Sequence, residues 1–489
     1  MEVINRDPAI AQLESWIERI WDKVIEFGLQ PFPTHFEIVP ATIMYEFGAY
    51  GLPGRFSHWT HGRAYHQMKT MYDYGLTKIY ELVINTDPCY AFLMEANSLL
   101  ENKLVVAHVL AHSDFFRNNA YFARTNRKMV ETASINAERI RRYEYDHGSQ
   151  EVERFLDAVL SIEEHVDPVE LPGWQREAQA EREGKDKRED NGRPRRPPTP
   201  YDDLFELDER GRAAETRAEQ RLSALGRPRK VPPEPQRDIL GFLLEHAPDL
   251  EDWQRDIIAI VRQERLYFMP QMRTKILNEG WASLWHSRIL RELDLPTDEY
   301  TEFARLHASV AAPNPRSLNP YYVGMKMLEF AERRWDNPSD EDRRRLGLKG
   351  GEGRAKLFEI REIESDLSFM RSYLTKEAVE ELDLYTYQFV DGEWKIVDKN
   401  WESVREQIVR NLTTCGIPYI TVEDGDYKRN RELYLKHHFD GDALDLNYAE
   451  KTLRYVYQLW GRAVHLETII DDKRILLTFD GAKHTRSAL

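Results

Sequence analysis

Apolar side chains recur at helical spacing through most of the first 372 residues, interrupted by short alternating stretches. The stretches THFEIVP and KIYELVINTDP alternate and contain β-branched residues, which predicts two short strands. Asp87 can cap a helix that begins at Pro88, and the pattern predicts that this helix continues, with or without a break near Asn97, to about Phe116. Residues 8–28 place five aliphatic side chains on one face of another predicted helix: Ile10, Leu13, Ile17, Ile20 and Val24.

The composition changes between residues 173 and 237, where charged residues and proline replace apolar side chains. Such a segment cannot bury enough apolar surface to offset the entropy that ordering costs. We interpret it as a long insertion or linker, mobile in parts, which is either a solvated spacer or a docking segment for a partner. Helical patterns resume afterwards. We therefore expect a mainly helical domain in two segments, 1–172 and 238–372, on either side of the insertion 173–237.

The last part of the chain, residues 373–489, has a different pattern. In YTYQFVDGEWKIVDK, two alternating stretches are joined by Asp391-Gly392, which is a strong hairpin signal. Two helical patterns and further alternating stretches follow, and the predicted order is ββαββαββ. The expected fold class is therefore α+β, with a mainly helical N-terminal domain followed by a small C-terminal domain that contains a sheet.

Charge and composition exclude several classes of function. A net charge of −16 repels nucleic acid and anionic lipid, so neither is expected as a partner. The two cysteines, Cys89 and Cys415, supply neither a disulfide framework nor a cysteine-rich zinc site. No stretch of about 18 apolar residues predicts a membrane span, and neither a secretory signal nor a nucleotide-cofactor motif is evident. The expected location is the cytoplasm.

The stretch KLVVAHVLAHSDFFRNN carries the first candidate chemistry. His108 and His112 lie one turn apart on one face of the predicted helix, as in HExxH metalloproteases. The strand KIYELVIN precedes them, as an edge strand precedes the active-site helix of zincins, and this suggests a zincin-like strand-plus-helix element. Two imidazoles alone do not make a metal site. The alternative is that both histidines are core residues with neighbouring polar partners.

A second stretch, TKILNEGWASLWH, supplies a carboxylate. Its NEGWA resembles the NEG[FW]A stretch of gluzincin aminopeptidases, whose glutamate is the third zinc ligand, although the separation from the HxxxH pair is longer here. His108, His112 and Glu279 would form a ligand set of two imidazoles and one carboxylate, which suits hydrolytic zinc. His286 shares the helical face of Glu279 and is a fourth candidate ligand. The candidate cofactor is zinc or another divalent metal.

The general base of HExxH enzymes is missing. Val109 occupies the position of the catalytic glutamate, and valine cannot accept a proton. Glu95, Glu101 and Asp114 are the candidate replacements, Glu95 only if the helix breaks near Asn97.

A third stretch, RFSHWTHGRAYHQM, contains three histidines that could contact a metal or a substrate. The alternative is that these histidines only pack against their neighbours. Five further residues are candidates for the pocket: His58, His61, Asp114, Asn118 and Trp281.

Six stretches together resemble the stage V sporulation protein R (SpoVR) family: FSHWTHGRAY, YELVINTDPCYAFLMEANS, AHSDFFRNN, MRTKILNEGWASLWH, LNPYYVG and LRYVYQLWGRAVHLET. The resemblance implies a bacterial or archaeal cytoplasmic protein, associated with spore cortex formation in endospore formers. In non-sporulating relatives it implies a role in stress or stationary phase, beside a PrkA-type serine protein kinase and a YeaH-type protein. It implies no catalytic residues.

Two functions are consistent with these features. The first is a regulatory or scaffolding partner of a PrkA-type kinase system in sporulation or stress response, which fits the acidic charge, the insertion and the missing glutamate. The second is a zincin-like, metal-dependent hydrolase acting on a cell-wall precursor or a peptide, which fits the HxxxH pair and NEGWA. The sequence leaves open whether the protein is an enzyme.

Overall fold

The structure of the protein is a computed structural model. Two sequence-based predictions fall outside the described residues: most of the insertion 173–237, and the turn at Asp391-Gly392. Among the helices within the described residues, none has both the length and the apolar character that crossing a lipid bilayer requires. The structure describes residues 8–51, 58–73, 81–167, 230–313, 318–390 and 393–489.

Helices dominate the described part of the chain, as the sequence predicts. In chain order they are α1 (Pro8–Glu26), α2 (Ala41–Tyr50), α3 (Trp59–Asp73), α4 (Leu99–Asn118), α5 (Met129–His147), α6 (Ser149–Leu160), α7 (Ile239–His246), α8 (Asp252–Arg273), α9 (Lys275–Glu292), α10 (Thr297–Val310), α11 (Pro320–Asp336), α12 (Asp340–Leu346), α13 (Gly353–Ile363), α14 (Asp366–Tyr373), α15 (Lys376–Glu381), α16 (Trp401–Thr414) and α17 (Leu446–Trp460). The strands are β1 (Thr34–Val39), β2 (Glu81–Ile84), β3 (Cys89–Met94), β4 (Thr386–Val390), β5 (Glu393–Asp398), β6 (Ile420–Tyr427), β7 (Glu432–His437), β8 (Val464–Ile470), β9 (Lys473–Phe479) and β10 (His484–Ala488).

The chain folds into two compact units, each made of two segments. The structural boundary follows Ile417, whereas the sequence suggested a boundary between residues 372 and 373. The reason is α16, whose side chains Val404 and Ile408 lie in the hydrophobic core of the first unit. The first unit comprises Met1–Asp146 and Leu266–Ile417, and the second comprises His147–Arg265 and Pro418–Leu489.

A three-stranded sheet in the first unit has the order β1-β3-β2, with β1 parallel and β2 antiparallel to β3. The predicted helix from Pro88 is therefore wrong, because Cys89–Met94 forms the central strand. Its side chains are buried on both faces, and such a continuous apolar run has no period that separates a strand from a helix. Whether β2 and the following helix amount to a zincin-like element stays a prediction.

Helix α4 begins where the capping chemistry allows. The Ser98 hydroxyl accepts a hydrogen bond from the Glu101 amide, and the Glu101 carboxylate accepts one from the Ser98 amide. This capping box satisfies two amide donors that the first turn leaves unpaired. The helix is buried over most of its length and packs against α1 and α9 in the core of the first unit.

The second unit contains a five-stranded sheet of order β10-β9-β8-β7-β6. Strands β7 and β8 are parallel and are connected through α17, while the other neighbours are antiparallel. The predicted order ββαββαββ lacks one strand, since β10 follows β9. Within the described residues, strands β4 and β5 pair with each other as a separate two-stranded sheet in the first unit. The α+β class is confirmed.

Candidate metal centre

His108 and His112 point from one face of α4 into the interior of the first unit, as their spacing predicts. The two residues are only 4% and 5% exposed. The Nδ1 atom of His108 lies 2.9 Å from Nδ1 of His286, and Nδ1 of His112 lies 2.9 Å from Oδ1 of Asn278. Because each Nδ1 is engaged, both rings present Nε2 to the same space.

Glu279, on α9, completes the group from the opposite helix. Its Oε2 lies 3.5 Å from Nε2 of His108 and 3.4 Å from Nε2 of His112. The ligand-type atoms of all three residues lie within 4.8 Å of one another, and no other such group is found within the described ranges. Ligand atoms of a tetrahedral zinc site with bonds of about 2.1 Å are about 3.4 Å apart. The two carboxylate–imidazole distances match that value.

The carboxylate of Glu279 provides the test of whether this group fits a metal. Its Oε2 atom is buried, and its contacts with the two Nε2 atoms, at 3.4 and 3.5 Å, do not meet hydrogen-bond geometry among the described residues. A buried anionic oxygen with only such long contacts is poorly compensated for its lost hydration. A cation held by Oε2 and the two Nε2 atoms would compensate that loss. The residues present therefore fit zinc or a similar divalent ion.

The charges of the three groups depend on each other. Burial alone would raise the pKa of Glu279, but His108 and His112 outweigh it and hold that pKa below its usual range. Burial would likewise lower the pKa of His112, but the Glu279 carboxylate, 3.4 Å away, raises it above the ordinary histidine value. Glu279 is consequently ionised at neutral pH and gives the site its negative charge.

The first four residues of NEGWA each make a different contact in the structure. Asn278 accepts the His112 hydrogen bond, and Glu279 faces both imidazoles. Gly280 lies against Gly324 of α11 so closely that a Cβ atom would come 2.3 Å from the Gly324 carbonyl carbon. Trp281 donates from Nε1 to Oδ2 of Asp114 at 3.0 Å. The motif therefore orients a histidine, supplies a carboxylate and brings α9 close to α11.

Comparisons with known proteins agree with the resemblance seen in the sequence. Residues 7–417 match the family model described as SpoVR like protein, and residues 418–471 match the model of the SpoVR-like C-terminal domain. The chain belongs to the SpoVR family. The two matched regions meet between Ile417 and Pro418, which is also where the structure begins the last segment of its second unit.

A relative of the chain comes from Escherichia coli (strain K12). The chain is 28% identical over 480 residues to the uncharacterized protein YcgB, covering 92% of this chain and 90% of that protein. No solved structure matches the chain. The comparisons thus establish the SpoVR family, and the chemistry has to be argued from the site itself.

His286 is a candidate ligand from the sequence. In this SpoVR-family structure its ring hydrogen-bonds to Nδ1 of His108, whereas Nε2 of His108 is the atom that faces Glu279. Nδ1 of His286 contacts His108, and its Nε2 lies 2.9 Å from Nδ1 of His307 on α10. Burial and the neighbouring imidazoles hold the pKa of His286 well below the usual value, so the ring is neutral. A neutral His286 accepts a hydrogen bond from His108 and donates one to His307, which fixes the orientation of His108.

Asp114, Asn118 and Trp281 form a hydrogen-bonded network beside His108, His112 and Glu279, the three candidate ligands that are called the metal group below. Arg361 donates from Nη1 to Oδ1 of Asp114 at 2.9 Å, and the Gln30 amide donates to the same oxygen at 2.6 Å. Asn118 donates to Asp114 at 3.1 Å. Because donors surround it, Asp114 holds together the segments that carry the site, and this position does not suit a general base.

The other candidates from the sequence occupy different places. Glu95 is exposed in the turn after β3, whereas Glu101 caps α4 and also lines a cavity next to His108. His58 and His61 lie at the start of α3, with ring centroids 6.2 Å apart, and Nδ1 of His58 lies 2.7 Å from the Thr60 hydroxyl. These two histidines are not members of the metal-type group.

Sequence reasoning missed two residues of the site, Glu81 and Tyr321. Both line the cavity that borders His108. Burial raises the pKa of Glu81, while His108 and His112 oppose that effect. The Tyr321 ring stacks over His108 with centroids 6.0 Å apart, and burial, with the Glu279 and Glu81 charges, raises the pKa of its phenol. The available signal was weak: Glu81 is a single carboxylate within the apolar stretch KIYELVIN.

Proposed function

We propose that this SpoVR-family protein is a metal-dependent hydrolase that binds one zinc or similar divalent ion between α4 and α9. The convergence of His108, His112 and Glu279 on one space supports this proposal more than any other observation. The ligand types are those of hydrolytic zinc sites, and a cation would compensate the buried Glu279 oxygen better than its long contacts with the two imidazoles do. The substrate class is an amide, in a peptide or a cell-wall precursor.

The catalytic groups follow from what lines the space next to the ligands. A divalent ion, when bound, supplies a Lewis acid that lowers the pKa of water and stabilises negative charge on a carbonyl oxygen. Glu81 takes one proton from the attacking water, whose oxygen bonds to the carbonyl carbon. Glu81 then returns that proton to the leaving nitrogen as the carbon–nitrogen bond breaks, which gives a carboxylic acid and an amine. Tyr321 remains protonated and donates a hydrogen bond towards the carbonyl oxygen.

Glu81 suits the role of base better than the carboxylates that the sequence suggested. Burial raises its pKa above the usual glutamate value, and a raised pKa makes a carboxylate a better proton acceptor. Glu279 faces both imidazoles as a ligand, Glu101 accepts the Ser98 amide, and Glu95 points into solvent. The environment therefore separates one carboxylate for metal binding from another for proton transfer.

Metal analysis tests the first half of this proposal. Protein purified without chelator should contain about one zinc-type ion per chain, on the ligand number expected of such sites. His112→Ala and Glu279→Gln should each remove most of it, whereas His465→Ala, a buried histidine in the second unit, should not. Circular dichroism checks that each variant is folded. Folded wild-type protein without metal, even after incubation with zinc, contradicts the proposal.

Hydrolysis of a panel of peptides and cell-wall amides tests the second half. Glu81→Gln should lower the turnover rate by roughly 10²–10⁴-fold while leaving the metal content unchanged. Glu95→Gln is the matched control, since this exposed carboxylate should not affect turnover. Full activity of Glu81→Gln would exclude Glu81 as the base.

A regulatory partnership with a PrkA-type kinase and a YeaH-type protein in sporulation or stress stays a prediction from the family resemblance. It is compatible with a metal centre, because a partner could control access to the site. Co-purification of the kinase with wild-type protein, and its loss when residues 418–489 are deleted, would support that role.

A further inference from the structure

A cavity of about 230 Å³ opens next to the metal group, on the side of His108 that faces α10 and α11. We propose that this cavity is the specificity pocket of the enzyme and accepts an aliphatic group attached to the carbonyl that is hydrolysed. The inference rests on the proposed hydrolase function and adds the substrate class. Leu104, Val105, Leu306 and Val310 form its apolar walls.

Helical spacing explains why the apolar walls continue directly from the metal group. Leu104 precedes His108 by four residues on α4, so the two side chains lie on one face, one turn apart. Leu306 and Val310 are also four residues apart on α10 and face the cavity from another helix. The reactive end and the apolar end of the pocket are therefore parts of one continuous surface.

The polar side chains of the lining belong to α4, α9, α11 and the start of β2, whereas α10 contributes aliphatic side chains. Four of the polar side chains, Glu81, His108, His286 and Tyr321, border the reactive end, and Glu101 lies in the first turn of α4. A charged substrate group against these aliphatic walls would lose its hydration without finding a partner. An aliphatic group loses nothing by leaving water, and it fills a space whose lining atoms otherwise lack contacts.

The same chemistry could come from two sources, a peptide residue with an aliphatic side chain or a short fatty acyl group. Both place a hydrocarbon next to a carbonyl group. A branched side chain and a straight chain of equal carbon number differ in width, so probes of both shapes distinguish the two sources.

Hydroxamates are suitable probes, because they bind zinc in a site of this type without being consumed. With zinc-loaded wild-type protein, calorimetry on straight-chain hydroxamates of increasing length should show affinity rising about threefold to fourfold per methylene until the cavity is full. The branched 4-methylpentanoyl hydroxamate is then compared with the straight-chain hexanoyl hydroxamate of equal carbon number. Tighter binding of the branched probe identifies a peptide side chain as the source, and tighter binding of the straight probe identifies an acyl group. Affinity that does not change with chain length overturns the proposal.

Variants of α10 test whether this cavity, and no other surface, determines the preference for hydrocarbon chain length. Leu306→Trp should fill the pocket and abolish the gain per methylene, while Leu306→Ala should shift the optimum to longer chains. Ala308→Trp, on the exposed side of the same helix, is the matched control and should leave the length preference unchanged. If Leu306→Trp does not fold, Leu306→Ala and Val310→Phe still decide, because an unchanged optimum in both contradicts the proposal.

A metal-free arm separates failure of this proposal from failure of the hydrolase proposal. Aliphatic primary amides, which do not require zinc to enter an apolar pocket, should raise the melting temperature of metal-free protein in a length-dependent manner that Leu306→Trp removes. Zinc binding without any length dependence in either arm refutes the pocket alone. Length dependence in the amides without zinc binding supports the pocket and refutes the metal centre.

Discussion

Nδ1 of His112 donates a hydrogen bond to Oδ1 of Asn278, although the two residues are 166 positions apart in the chain. The amide oxygen can only accept, so the proton of a neutral His112 resides on Nδ1 and its Nε2 lone pair faces Glu279. Asn278 and Glu279 are neighbours on α9, and one short stretch thus both sets the tautomer of one candidate ligand and supplies another.

Replacing Asn278 by Ala should weaken zinc binding by about 10- to 100-fold, because His112 loses the partner that orients its ring. Competition with a chromogenic chelator measures the affinity. Asn136→Ala, which removes another buried asparagine, from α5, is the control and should leave zinc affinity unchanged. Equal zinc affinities of wild type and Asn278→Ala would show that the hydrogen bond does not contribute.

Gly280→Ala should destabilise the first unit by about 1–3 kcal/mol, despite the better helix propensity of alanine. The added Cβ would meet backbone atoms of Gly324, and backbone cannot move aside as a side chain can. Gly62→Ala is the matched control, since Gly62 lies in a helix with open space around its Cβ position. That change should stabilise the protein by up to about 1 kcal/mol. Urea unfolding compares the two, and similar effects from both would argue against a close contact between α9 and α11.

Substitutions of His286 test whether this residue binds the metal directly or orients the ligand His108. If His286 acts through His108, His286→Ala should lower zinc affinity by about 10- to 100-fold while one zinc still binds at saturation. His286→Gln should recover part of the affinity, because its side-chain oxygen can accept from Nδ1 of His108. Loss of stoichiometric zinc in both variants, as expected for His112→Ala, would instead make His286 a direct ligand.

The sequence predicted the convergence of His108, His112 and Glu279 better than it predicted the strands around them. The i, i+4 period of a helix places His108 and His112 together whatever surrounds them, and NEGWA carried enough local pattern to single out Glu279. A strand buried on both faces has apolar residues at every position, so the two-residue hydrophobic period of a strand is not visible. For this reason the sequence predicts a helix over Cys89–Met94. Glu81 and Tyr321 reach the site only through tertiary packing, so no local spacing could have predicted them.

His286 illustrates a subtler limit. Its position seven residues after Glu279 does place both on one face of α9, but a shared face does not decide which of two side chains is nearer to the metal group. That choice depends on how α9 lies against α4 and α10, where His286 meets both His108 and His307. Helical spacing can therefore nominate a ligand, and only packing between helices can rank it.

Asp366 should make stability depend on pH. Its two carboxylate oxygens accept hydrogen bonds from the Ile276 and Leu277 amides, each at 2.8 Å, and burial nevertheless raises its pKa to about 7. An unfolded Asp has a pKa near 3.9, so between about pH 4 and 7 the folded state holds a proton that the unfolded state has released. Stability from this group is therefore fully present below about pH 4 and falls as the pH rises through 7, by up to about 1.4 kcal/mol per pH unit.

The difference between wild type and Asp366→Asn isolates this effect from other titrating groups. An asparagine keeps the shape and cannot ionise, so the free energy of unfolding of wild type relative to Asp366→Asn should decrease steadily from pH 4.5 to about 7.5 and then level off. Urea unfolding at half-unit intervals of pH gives the two curves. Parallel curves would mean that Asp366 is already ionised in the folded protein throughout this range, with the two α9 amides outweighing burial.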